Sequence, residues 1–312
     1  MTHRFSVITP SYNQASYLEQ TIQSVLDQDY PNLEYMIVDG GSTDGSVEII
    51  RKYEKYLAWW VSERDHGQAD AVNKGFKRAT GDYIGWVNSD DLYEPGTLDE
   101  AAQALDNNPQ AGIVYADVRS IDSHGKTFNV MRYANYGLDG LLCFKIIGQP
   151  GAFLRRSVLE QAGYLDPTYN LLLDPELWIR MAMIAPIVYV PQVWAAARSH
   201  AGTKNSSQAA HYGEDAYRMI EWMQTQPVLA GRYQRLKHRI WAGAHRLNAF
   251  YLLDANLPGQ SLKFYWKSLL AYPPTALQDW HRMLYALMSM AGLRGMGRVY
   301  LDWRRKRYEH RS

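Results

Sequence analysis

Over its first hundred residues the chain alternates short apolar runs with segments whose apolar positions recur every three to four residues. Phe5 to Thr9 reads as a first strand and Pro10 to Asn13 as a loop. Ser16-x-x-Glu19 has capping-box spacing, and Leu18, Ile22, Val25 and Leu26 then share one helical face. Tyr30-Pro31-Asn32 ends that helix, and Tyr35 to Val38 forms a second strand. The pattern next predicts a helix from Ser46 to about Tyr56 and a strand over Trp59 to Ser62. His66-Gly67 opens another helix with Ala69, Val72 and Phe76 facing inward, and Tyr83 to Val87 is a further strand. Such alternation predicts a parallel, doubly wound sheet.

Beyond about residue 110 the pattern loosens. Ile113 to Val118 is strand-like, and Asp122-Ser123-His124-Gly125 reads as a hairpin turn before Thr127 to Met131. A strand at Ala152 to Leu154, a helix at Ser157 to Gln161, and two strands at Ile187 to Val190 and Val193 to Ala197 follow. Leu177, Met181 and Ile184 share a helical face just after Asp174-Pro175. From about Gln208 the chain reads as helical, broken by Pro258 and Pro273-Pro274. The domain expectation is residues 1–205 as an α/β domain and 206–312 as a helical region.

Composition narrows the function classes. A chain of 312 residues with a formal net charge of +1 gives no support for nucleic-acid binding. The single cysteine, Cys143, excludes an internal disulfide and a cysteine-based zinc site. No signal-peptide core opens the chain and no run of about 18 apolar residues occurs, so a cytoplasmic protein is expected.

Candidate chemistry gathers at predicted strand ends, where open α/β sheets collect ligands. Asn88-Ser89-Asp90-Asp91 follows an apolar strand, and adjacent carboxylates there suit Mg²⁺ or Mn²⁺ held against a diphosphate. They are equally suited to a turn or a helix cap. Asp39 opens the turn Gly40 to Gly45, and its carboxylate can accept a base N–H where glycines allow close backbone approach. Neither a G-x-G-x-x-G nor a P-loop pattern is present. Asp65, Gln68, Asp70, Asn73 and Lys74 crowd a helix entry, where an anion is favoured and Lys74 meets either phosphate or solvent. Asp174 sits between apolar residues and before Pro175, so it reads as an N-cap or as a general base, with Glu176 a second candidate base. His200, at the end of a strand-like run, is a candidate metal or diphosphate contact.

Taken as an ordered set, these segments resemble family 2 glycosyltransferases of the bacterial exopolysaccharide and cell-envelope type. The resemblance is carried by Phe5 to Asn13, Val38 to Gly45, Asp65 to Gly75 and Asn88 to Asp91, then by Gln149 to Phe153, Leu165-Asp166 and Asp174 to Trp178. It covers roughly residues 4 to 200. It implies a GT-A fold, with a Rossmann-like, mostly parallel central sheet flanked by helices, followed here by the C-terminal helical extension. It implies a nucleotide-diphosphate sugar donor, a divalent cation (Mg²⁺ or Mn²⁺) and inversion at the anomeric carbon. Thr9, Pro10, Tyr12 and Asp39 would then hold the nucleotide, and Asn88, Ser89 and Asp90 would face ribose and metal. Asp90, Asp91 and His200 would be the metal or diphosphate residues, and Asp174 the catalytic base. Asn88 stands where the family pattern has Asp, and Leu173 where it has an acid.

The acceptor implied is a sugar or a lipid-linked sugar. Lys263, Tyr265, Trp266 and Lys267, with Trp303-Arg304-Arg305-Lys306-Arg307, have the composition of a segment that touches the inner face of a membrane, or of an ordinary amphipathic subdomain. A nucleotidyltransferase is the rival activity, although Pro10-Ser11-Tyr12-Asn13 lacks the basic loop it would use. A non-catalytic nucleotide-binding scaffold is the other rival.

Overall fold

The fold is known from a computed structural model, which describes residues 3–200 and 202–292. The basic run Trp303 to Arg307 lies outside the described residues. The chain separates into two compact units. The first holds the residues up to Leu138, Ile147–Thr168 and Leu173–Arg198, and the second holds Asp139–Ile146, Tyr169–Leu172 and the chain from Ser199.

The first unit opens with β1 (Phe5–Ser11), α1 (Ala15–Leu26), β2 (Leu33–Asp39), α2 (Ser46–Tyr53), β3 (Trp59–Ser62), α3 (Gln68–Arg78) and β4 (Tyr83–Trp86). It continues through β5 (Leu92–Tyr93), α4 (Thr97–Asn107), β6 (Ile113–Ile121) and β7 (Thr127–Met131). After α5 (Gly137–Leu142), which runs on into the second unit, come β8 (Ala152–Arg155), α6 (Arg156–Ala162), α7 (Leu173–Ile184) and β9 (Ile187–Arg198). The sheet order is β3-β2-β1-β4-β8-β6-β9-β5, with β7 paired to β6. The strands β3, β2, β1 and β4 are all parallel. β8 runs antiparallel between β4 and β6, and β9 runs parallel to β6. The expected hairpin forms: Gly125 N–H donates to the carbonyl of Asp122 between β6 and β7.

Several local expectations change in the fold. β1 continues through Pro10 and Ser11, because these residues stay in register with Val38 and Asp39. The capping box at Ser16-x-x-Glu19 is absent: α1 begins at Ala15 without a side-chain cap on its own chain segment. The Asp44 carboxylate accepts the Ala15 N–H (2.9 Å) instead, and Glu19 turns away to Lys52 and Tyr53. The two strands expected after Pro186 are one strand, β9, whose pairing with β6 shifts register around Asp117.

The core forms because β1 and β4 are buried on both faces, as parallel strands covered by helices must be. Phe5 and Val7 pack with Leu18 and Ile22 of α1 on one side. On the other, a Cβ at Gly75 of α3 would lie 2.5 Å from Ile8, so glycine there lets the helix close onto β1. One buried carboxylate ties three segments of this layer. Glu34 of β2 accepts hydrogen bonds from Ser6 Oγ (2.5 Å), Thr80 N–H and Thr80 Oγ1 (both 2.8 Å), and it pairs with Arg4 (3.1 Å).

The second unit is helical: α8 (Lys204–Ser207), α9 (Tyr212–Thr225), α10 (Ala230–Asp254), α11 (Pro258–Ala271), α12 (Pro273–Ala276) and α13 (Trp280–Met290). Helix α10 packs against α9 and α11, and α11 against α13. Asp215 of α9 accepts the N–H groups of Asn170, Leu171 and Leu172. Among the described residues no helix is long and apolar enough to cross a membrane.

Burial pushes the Glu34 carboxyl up, but the Ser6 and Thr80 hydrogen bonds and the Arg4 charge outweigh it and hold it below its ordinary value. Its stabilisation is therefore present above the unfolded value and is lost as pH falls through the lower folded one. Glu34→Gln is expected to cost about 1–3 kcal/mol near neutral pH. That deficit, read from urea midpoints, should shrink toward zero below about pH 4. A deficit unchanged by acid would show that the Glu34 charge contributes nothing.

Candidate active site

The carboxyl ends of β3, β2, β1 and β4 lie along one edge, since the four strands are parallel and adjacent. β9 joins the same edge: two antiparallel steps, β4 to β8 to β6, restore the direction and β9 parallels β6. Helix α7 ends two residues before β9 begins. Asp39, the Asn88–Asp91 loop and Arg198 thus belong to one side of the first unit.

At the end of β2 the Asp39 carboxylate is fully buried. It accepts Gly41 N–H (3.0 Å), Ser42 N–H (2.9 Å), Ser42 Oγ (2.5 Å) and Ser62 Oγ (2.7 Å). It therefore shapes the glycine turn itself, with Gly41 at φ +83°, a conformation that favours glycine. Gly40 is needed for space, because a Cβ there would lie 2.6 Å from the Asp65 carboxylate, which itself accepts Gly67 N–H (2.9 Å). Of the first loop, Thr9 bonds to the Tyr35 hydroxyl inside the core (3.0 Å) and Pro10 is buried in β1. Beside Asp39, the Ser11 hydroxyl is buried without a hydrogen-bond partner, and Tyr12 is 62% exposed.

Past β4, Asn88 is a polar hub. Its side-chain oxygen accepts Gln68 Nε2 (2.8 Å) and Trp86 Nε1 (3.0 Å), and its Nδ2 donates to Gln149 (3.1 Å) and Asp91 (3.2 Å). Gln149 in turn donates to the Trp86 carbonyl (2.5 Å). Ser89 is buried and Asp90 half-buried. Asp91 is buried and accepts the Arg198 N–H (2.9 Å). Burial first, and then the neighbouring Asp90 charge, push the Asp91 carboxyl well up, against the hydrogen bonds and the Arg198 charge. The Arg198 guanidinium, itself buried, donates to the Asp90 carbonyl (2.9 Å) and to Gln20 (2.8 Å), and it lies 4.7 Å from the Tyr17 ring centre.

The α3 residues divide by role. Gln68 reaches the Asn88 hub. Both ends of the Asn73 amide are committed to the Leu165 backbone (2.8 and 2.9 Å). Lys74 pairs with Glu63 (2.9 Å) and Asp70 (3.4 Å), and Asp70 also accepts the His66 N–H (3.2 Å). Asp174 is half-buried in the first turn of α7. Glu176 is buried and bound at both oxygens by Arg180 (2.7 Å each), whose guanidinium also holds the carbonyls of Ala162, Gly163 and Tyr164. Glu176 is thereby a strut under residues 162–164. His200 belongs to the second unit, where its Nδ1 accepts the Gly202 N–H (3.2 Å).

Among the described residues no cluster of three or more acidic, histidine or cysteine side chains could cage a metal. The Asp91 oxygens face Arg198 N–H and Asn88 from a buried position. Sequence reasoning did not single out Ser11, Gln20 or Arg198. The visible signal for Arg198 is a lone charge closing the apolar run Val193 to Ala197.

This sheet, with its acidic loop at the carboxyl edge and its C-terminal helices, is a GT-A glycosyltransferase fold. The model for glycosyl transferase family 2 matches residues 6–163, and the chain belongs to that family. TuaG of Bacillus subtilis (strain 168), named for teichuronic acid biosynthesis, is 44% identical over 108 residues, covering 32% of this chain and 41% of TuaG. The matched part thus spans less than half the length of that relative. The crystal structure of S. aureus TarS 1-349 with UDP-GlcNAc superposes with a TM-score of 0.61 at 18% identity, covering 89% of this chain and 92% of that one. The mannosyltransferase PcManGT from Pyrobaculum calidifontis, in complex with GDP-Man and Mn²⁺, gives 0.61 at 22% identity, covering 93% and 86%.

Arg198→Met would leave the Asp90 carbonyl and Gln20 without their donor and remove the charge that favours ionised Asp91. The expected loss is about 3 kcal/mol in urea unfolding, as for one partner of a buried charged network. A loss below about 0.5 kcal/mol, within the range of ordinary surface changes, would show that the loop stands without Arg198.

Proposed function

We propose that this chain is an inverting glycosyltransferase that moves a sugar from a nucleotide-diphosphate sugar to a hydroxyl of a sugar or lipid-linked acceptor in cell-envelope polysaccharide synthesis. The reading is supported by the acidic edge of the sheet: the Asp39 turn and the Asp90 loop follow the carboxyl ends of the parallel strands β2 and β4. The first unit is the catalytic domain of the proposal. The second unit serves the acceptor, at the inner face of the membrane. The nucleotide sugars bound by TarS and PcManGT and the teichuronic acid biosynthesis in the name of TuaG support the donor and the setting.

In this proposal Tyr12 offers its ring to the base, and the Ser11 hydroxyl finds its missing partner on the nucleotide. Asp39 meets a base N–H by exchanging the Ser42 hydroxyl. Asp65, Gln68 and Asp70 line the α3 side, while Asn73 and Lys74 hold that side in shape. Asn88 and Ser89 face the ribose, and Asp90 would hold a divalent cation. The cation would supply Lewis-acid stabilisation of the leaving diphosphate. Asp174 accepts the proton of the attacking acceptor hydroxyl, which is a poor nucleophile until that proton leaves. A single displacement of this kind needs no covalent intermediate, and it inverts the anomeric centre. Asp91 and Arg198 act beneath the site, keeping Asp90 in place.

The test begins with a panel of nucleotide sugars, titrated against the full chain by calorimetry with added Mn²⁺. With the donor found, Asp174→Asn should lower kcat by about 10²–10⁴ while donor KM changes little. Asp90→Asn should abolish stimulation by Mn²⁺. A variant Asp174→Asn as active as the parent would remove the base assignment. Binding of donor without any turnover would favour the scaffold reading, supported by Leu173 and Asn88, and pyrophosphate release would point to a nucleotidyltransferase.

A further inference from the structure

Most of the large apolar side chains exposed among the described residues lie between Trp266 and Met290. On α11, Trp266 is 62% exposed and Leu270 follows one turn later. On α13, Trp280 is again 62% exposed, and Leu284 and Leu287 continue its stripe at helical spacing. The two helices pack on each other and run antiparallel, since Met290 at the end of α13 neighbours Gly259 at the start of α11. Two apolar stripes therefore lie on adjacent helices, with tryptophan on each. A soluble monomer rarely leaves so much apolar surface uncovered without a partner.

The charges around the stripes identify that partner. From Pro258 to Gly292 the only carboxylate is Asp279, which is buried and held by Arg246 (3.1 Å) and the Tyr265 hydroxyl (3.3 Å). Lys263 and Lys267 are exposed on α11, and the Arg239 guanidinium lies 5.8 Å from the Tyr272 ring centre beside it. A second copy related by a two-fold axis would bring these like charges toward one another, which opposes pairing through this face. An anionic bilayer surface complements both features at once: lipid phosphates meet the cations, and the headgroup boundary takes tryptophan and leucine.

We propose that the α11–α13 face docks on an anionic lipid bilayer, with Trp266, Leu270, Trp280 and Leu284 entering the interface and Lys263 and Lys267 facing lipid phosphate. This gives the membrane contact of the proposed transferase a defined surface and needs no spanning helix. It rests on that reading only for its biological purpose, because lipid binding is measured without any sugar substrate.

The test uses the full chain and sedimentation with vesicles of phosphatidylcholine, alone or with about one third phosphatidylglycerol. Binding is expected with phosphatidylglycerol and should weaken at least about tenfold without it. Trp266→Ser/Trp280→Ser/Leu284→Ser should weaken it by a similar factor while circular dichroism stays unchanged, since all three side chains are exposed. Lys263→Glu/Lys267→Glu should also weaken it roughly tenfold. Failure to bind, equal binding to both vesicle types, or variants that bind like the parent would overturn the proposal. Light scattering that finds a dimer, split by the serine variant into 35.8 kDa monomers, would overturn it in favour of a second copy. Donor turnover in detergent-free buffer is read separately, so vesicle binding can fail while the transferase reading stands, and the reverse.

Discussion

Two adjacent carboxyl groups at the end of β4, one of them buried, are the constraint around which the site is built. Asp91 lies out of water beside Asp90, and both burial and the neighbouring charge resist its ionisation. The chain answers with Arg198, brought from the far end of β9 to bond the Asp90 carbonyl while its own backbone N–H bonds Asp91. The guanidinium is buried too, and it is satisfied by Gln20 and by the carbonyls of Asp122 and Ser123. A buried charge is tolerated where its hydrogen bonds are supplied. The result is an acidic loop in which Asp91 is locked from below and Asp90 is half-buried beside it.

Neutral side chains complete the lock. Asn88 connects α3, β4 and the Gln149 turn with four hydrogen bonds, which an acid at that position could only accept. The amide is therefore well chosen for a position that must both donate to Asp91 and accept from Gln68. Asp39 is treated similarly, with four donors fixing its oxygens and the glycine turn wrapped around them. Loops fixed in this way hold their backbone in one arrangement before anything binds.

The second unit follows a different logic. Its interior is held by aromatic contacts such as Tyr212 on Tyr251 and by close helix crossings, with Gly213 against Asn248. Its outer helices leave tryptophan and leucine in water. The inside of the unit is thus closed as a soluble bundle, while the α11–α13 surface has the composition of an interface.

The strand–helix alternation was legible in the sequence because its period changes are strong, and Phe5 to Thr9, Tyr35 to Val38 and Trp59 to Ser62 all emerge as strands. The hairpin at Asp122 to Gly125 and the proline-broken helices after Gln208 were legible for the same local reason. So was the family, from an ordered set of motifs, and with it the fold. Tertiary structure decided most of the hydrogen-bond partners inside the motifs. Nothing local separates Asp90 from Asp91; the difference is that Arg198 arrives from a distant strand, whereas Glu176 is set apart from Asp174 by Arg180, one turn along its own helix. It likewise decided that α1 is started by Asp44 rather than by its own Ser16, and that Asn73 serves Leu165. Periodicity is a property of neighbouring residues and can be read along the chain. Burial and hydrogen-bond partnership join residues distant in sequence, and they exist only once the chain has folded.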